Sequence, residues 1–226
     1  MKDNQIRGLR RLALMTAVLL LGGCATRQAY DYSAFKEARP ASILVLPPLN
    51  TSPDIKATYS MMSQTTAPLA ESGYYVFPVT LVDETFKQNG MTVAEDIHSV
   101  ASNKLRDIFG ADAALYINVK QYGTSYIVIS SETRVTAEAK LVDLRSGKTL
   151  WSGSATASSA EGDSNNGGLL GMLVKAVIRQ IIETVSSQGH LIAGRTSARL
   201  LSAGMPNGIL YGPRSPMYLK EGAPAP

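Results

Sequence analysis

Between residues 113 and 159 the side chains alternate with a two-residue period. Val135, Ala137, Ala139 and Leu141 interleave with Thr136, Glu138 and Lys140. Upstream, Leu115, Ile117 and Val119 interleave with Tyr116, Asn118, Lys120 and Tyr122. A β-strand turns successive side chains to opposite faces, so this pattern demands antiparallel strands packed on one face and wet on the other. "DLRSGKTLW" supplies a hairpin, with Ser146-Gly147 at its turn. The block reads as four strands.

The preceding residues read differently. Ile43 to Leu46 form a short, wholly apolar run ended by Pro47-Pro48, the mark of a buried strand. Ser52, with Pro53 and Asp54 behind it, predicts a helix start. That helix is expected to reach about Ser72 and stop at Gly73, with Pro68 as a kink or early end. "YYVFPV" follows as a second apolar strand, completing a βαβ unit with parallel strands. Thr80 to Gln88 predicts a short helix. Ile97, Val100, Leu105 and Ile108 predict an amphipathic one closed by Gly110. The expected fold class is therefore mixed α/β: a βαβ start, then an antiparallel meander, in one mixed sheet with packed helices.

"LLGMLVKAVIRQIIETVSSQG", residues 169–189, predicts a helix apolar around most of its girth, with Lys175, Arg179 and Glu183 as its only polar stripe. Such a surplus apolar face needs a cover. The C-terminal segment, a second copy, another protein or lipid are the candidates, and Leu169, Leu173, Val177 and Ile181 are the expected interface. Residues 41–189 are expected to form the α/β domain. Residues 190–226, rich in Gly and Pro, are expected to wrap it as an extended segment.

The start of the chain sets an address. Lys2, Arg7, Arg10 and Arg11 precede an apolar run from Leu12 to Leu21, as in a secretory signal peptide. At about 1.5 Å per residue that run is too short to span a bilayer comfortably. Leu21-Gly22-Gly23-Cys24 resembles the bacterial lipobox. The resemblance implies diacylglycerol on the Cys24 thiol, cleavage before it and acylation of the new amine. Residues 1–23 are then the signal peptide and 24–40 a lipidated tether. Three chains make release from the membrane negligible, and this covalent lipid is the only cofactor expected. Ala25 after the cysteine resembles an outer-membrane sorting signal.

Processing also changes the charge. Losing residues 1–23 removes four cations and one anion, which takes the formal charge from +4 to +1. No basic footprint for nucleic acid is left. Cys24 is the only cysteine, so its acylation excludes disulfides and thiolate metal sites.

Catalytic motifs are weak. "RSGKT" lacks the leading glycine and the strand-to-helix setting of a phosphate loop, which leaves it a hairpin turn. "GDSNNGG" has Val174 where a calcium loop needs its glutamate. His98 and His190 show no zinc-binding spacing and read as surface or capping residues. There is no G-x-S-x-G elbow. Glu71 with Asp83 or Glu84 are explained as solvated helix faces. No catalytic residue is assigned, no metal is expected, and the protein is expected not to be an enzyme.

The run "ILVLPPLNTSPDIKATYSMMSQTTAPLAESGYYVFPVTLVDETFKQNG" and the tail "GILYGPRSPMY" resemble a family of bacterial outer-membrane lipoproteins of unknown function. The resemblance implies a fold similar to the N-terminal domain of TolB and an association with CsgG-type secretion lipoproteins. The expected role is a lipid-anchored, non-catalytic assembly or accessory subunit of an outer-membrane export system. Its expected partners are the membrane, further copies of itself and a CsgG-type lipoprotein. The alternatives are a periplasmic ligand- or peptidoglycan-binding module and a hydrolase with an unrecognised site.

Overall fold

The computed structural model describes residues 30–127, 130–161 and 188–220. The lipobox residues Leu21, Gly22, Gly23 and Cys24 lie outside the described residues. So do Leu169, Leu173, Val177 and Ile181 of the expected interface. The chain divides at Asp31, and the compact unit begins at Tyr32.

In chain order the elements are α1 (Ser33–Ala38), β1 (Ser42–Val45), β2 (Leu49–Asn50), α2 (Ala57–Ser63), α3 (Thr66–Glu71), β3 (Tyr75–Val76) and α4 (Val79–Gln88). Then come α5 (Ala94–His98), α6 (Ser102–Phe109), β4 (Ala113–Ile127), β5 (Ser130–Asp143), β6 (Thr149–Ser158) and α7 (Gln188–Leu201). The strands form one mixed sheet in the order β3-β1-β4-β5-β6, with β2 also paired to β4. β1 runs parallel to both β3 and β4, whereas β4, β5 and β6 are antiparallel. This is the mixed α/β architecture expected.

One sheet face packs against α7, which lies on β4, β5 and β6, and against α2. Ile43, Leu115, Val135, Leu141 and Trp151 point into this layer and are almost fully buried. Thr196 ties α7 to the sheet by donating to the Val135 carbonyl at 3.1 Å. Among the described residues the opposite face is covered only at its β1–β4 end. There Leu44, Leu46, Ala114 and Tyr116 pack with Val82 and Phe86 of α4, Ile97 of α5 and Leu105 of α6. Beyond that cover, Lys120, Glu138, Lys140, Ser152 and Ser154 stand exposed.

Several expectations are corrected. The four expected strands are three, because β4 continues as a single strand from Ala113 to Ile127. The register shifts between Val119 and Gln121, which places Tyr122 opposite Val135. Tyr122 therefore joins the buried Val119 face and not the face of Tyr116 and Asn118. The expected helix from Ser52 starts only at Ala57. Ser52 instead donates through both its N–H and Oγ to Asn50 Oδ1. The helix then breaks between Ser63 and Thr66, because Pro68 has no N–H for the Gln64 carbonyl four residues back. Ser197 Oγ donates to that carbonyl at 2.8 Å instead. A second break separates α5 from α6, so Ile97 and Leu105 are buried while Ile108 is exposed.

The boundaries at both ends also move. Part of the expected tether is folded: Phe35 of α1 is buried, and Tyr32 donates to the Gly208 carbonyl at 2.6 Å. The expected extended wrap begins instead as a helix, α7, and residues 202–220 run without helix or strand. That last part is clamped. Gly212 N–H donates to Ser72 O at 2.8 Å, and Arg214 N–H to Gly73 O at 3.1 Å.

Candidate functional site

The open sheet face carries a groove of about 670 Å³ between α5 and the strands. Strand register builds it as two cross-strand rows. Tyr116, Lys140 and Ser152 are aligned in one; Leu49, Asn118, Glu138 and Ser154 are aligned in the other. Because same-face neighbours are two residues apart on a strand, the rows lie about 7 Å apart.

His98 closes the α5 end. Its ring meets Tyr116 edge-on at 5.1 Å, and its Nε2–H donates to the Pro47 carbonyl at 2.9 Å. Burial holds its imidazole below the ordinary histidine range, with nearby Lys140 acting in the same direction and the Pro47 hydrogen bond opposing. Burial also pushes the Tyr116 phenol up, against a hydrogen bond with Ser102. Lys140 Nζ lies over the Tyr116 ring at 4.9 Å. Glu138 pairs with Lys120 at 3.3 Å, both side chains being about half exposed. Asn118 Oδ1 is buried with no hydrogen-bond partner. A buried acceptor left unpaired costs about 1–3 kcal/mol.

A second polar cluster lies on the covered face, where α2, β4 and the start of α7 meet. Ser60 Oγ stands 3.0 Å from His190 Nδ1, and the Tyr122 hydroxyl donates to Ser60 Oγ at 2.8 Å. Gln64 Nε2 lies 2.6 Å from His190 Nε2. Among the described residues no carboxylate bonds His190, so no serine–histidine–carboxylate triad forms. The cluster joins α2 to α7 as a structural contact. Sequence reading missed it because Ser60 and His190 lie 130 positions apart and Tyr122 reaches them only through the β4 register shift.

The other sequence candidates do not converge. Asp83 bonds Lys87 within α4 at 2.6 Å. Gly147 occupies the expected hairpin turn, where Asp143 Oδ2 accepts from the Ser146 N–H and hydroxyl. Among the described residues no three His, Cys, Asp or Glu side chains gather as metal ligands. Among the same residues no helix is long and apolar enough to cross a membrane.

The chain is similar to known proteins over most of its length. It is 54% identical over 203 residues to "Putative lipoprotein NMB1124/NMB1162" of Neisseria meningitidis serogroup B, covering 88% of this chain and 94% of that protein. The crystal structure of lipoprotein GNA1162 from Neisseria meningitidis superposes with a TM-score of 0.52 at 60% identity, covering 64% of this chain and 99% of that one. The family described as "Putative lipoprotein GNA1162-like" matches residues 30–214. With that span matched, the chain belongs to the GNA1162-like lipoprotein family.

Proposed function

We propose that the protein is a lipid-anchored, non-catalytic accessory subunit of an envelope export or transport assembly, held at the outer membrane through Cys24. Membership of a lipoprotein family supports a membrane-anchored envelope location. The observation that carries the reading is the open face of β4, β5 and β6. The opposite face is roofed by helices, whereas this one presents Lys120, Glu138, Lys140, Ser152 and Ser154 outward. A polar, mixed-charge sheet face suits a docking surface that stays soluble when unoccupied. Anchoring confines the domain to a membrane, where weak contacts gain from high effective concentration. Further copies of this chain and a CsgG-type lipoprotein are the partners proposed.

The test is reversible crosslinking in the native envelope from a photoreactive residue placed at Ser154, followed by affinity capture and mass spectrometry. Recovery of an outer-membrane export component linked through that position supports the reading. No adduct from Ser154, with the chain acylated and folded, refutes it.

A further inference from the structure

We propose that the cross-strand groove is a binding site for a short zwitterionic peptide about two residues long. Its ammonium would meet Glu138 and its carboxylate Lys140. This site goes beyond the accessory role and does not depend on it.

Three features select that ligand. The first is opposite charge on adjacent rows. Glu138 and Lys140 share a strand face two residues apart, with their backbones about 7 Å apart. Two extended residues span at most about 6.6–7.2 Å, so the ends of a dipeptide reach both rows at once. The second is availability. Lys140 has no carboxylate partner among the described residues; its ammonium rests over Tyr116 and keeps its donors for an incoming carboxylate. Among the described residues Glu138 pairs with Lys120 alone, an exposed and weak contact that yields to a competing ammonium. The third is Asn118 Oδ1. It shares the Glu138 row and is buried without a partner, and turning the amide outward would let it accept from a peptide N–H laid between the rows.

The same geometry disfavours a sugar. A sugar platform needs a free aromatic face, whereas Tyr116 has His98 against it edge-on and Lys140 over its ring.

The test is a titration of the acylated protein, beginning at Cys24, in detergent micelles, followed by amide NMR shifts. The probes are alanyl-alanine, N-acetyl-alanyl-alanine and alanyl-alanine amide. Saturable shifts are expected at Asn118, Glu138 and Lys140 with the free dipeptide, and binding at least about tenfold weaker with either capped form. Glu138→Gln and Lys140→Met are each expected to weaken the free dipeptide about tenfold, with the rest of the spectrum unchanged. Both side chains are exposed, so these variants keep the fold. The proposal is overturned by an absence of saturable shifts in these rows, by either capped peptide binding as well as the free one, or by either variant binding like the parent.

Discussion

Replacing Gly73 by alanine tests how the C-terminal segment is held. Gly73 has φ +97°, and a Cβ added there would lie 2.5 Å from Ser215 N and 2.8 Å from the Gly212 carbonyl oxygen. These are backbone atoms and have no rotamer to move into. The positive φ alone costs an L-residue about 1 kcal/mol. Relieving the clash means pulling residues 212–215 away, which breaks Gly212 N–H to Ser72 O and Arg214 N–H to Gly73 O. Each such bond contributes about 0.5–1.5 kcal/mol. The total is about 3 kcal/mol, or a fall in Tm of about 6–12 °C for a domain this size. Gly90→Ala is the control. Its φ is +78°, but nothing lies within 4 Å of the added Cβ, so only the conformational cost remains. That predicts a fall of about 2–4 °C. The assay is thermal unfolding of the full chain by circular dichroism. Equal shifts for the two variants would refute the clamp.

Trp151 is the anchor of the covered face, 1% exposed, with its Nε1–H donating to the Asn207 carbonyl at 2.9 Å. Trp151→Ala should cost about 3–5 kcal/mol in urea unfolding, and Trp151→Phe, which orphans the carbonyl but keeps most of the packing, about 1–2 kcal/mol. His98 predicts a pH dependence. Its folded pKa lies below the ordinary value because of burial, so the unfolded chain takes the proton first. Its contribution to stability is complete above about pH 6.5 and is lost as pH falls from there through the folded pKa. His98→Gln should flatten stability between pH 7 and pH 5, and an unchanged slope would contradict the burial argument.

Much of this fold is legible in the sequence where a single strong pattern acts alone. The alternation from Val135 to Leu141 gives the correct faces because the extra residue of the β4–β5 register shift, Lys120, lies on β4, and β5 slips against β6 only at its end. The apolar run at Ile43 is correctly buried because parallel strands are covered on both faces at that end of the sheet. The misreadings occur where a tertiary contact decides. The register shift after Val119 inverts the side-chain parity, which sent Tyr122 to the wrong face. α7 was hidden by Gly189 and Gly194 and by the small polar pair Thr196 and Ser197. Yet Ile192, Ala193, Thr196, Ser197, Leu200 and Leu201 are all buried at helical spacing, and that periodicity was the available signal. The groove was half legible. Tyr116 and Asn118 read as a wet face, but nothing in the sequence brings His98 to Tyr116 or aligns Asn118 with Glu138.

The proposed function requires a fatty anchor at one sulfur atom. Intact mass spectrometry of the protein extracted from membranes tests it most directly. The predicted species begins at Cys24 and carries a thioether-linked diacylglycerol and an N-acyl chain on that residue. An unmodified cysteine, in a protein that salt washes free of the membrane, would contradict it.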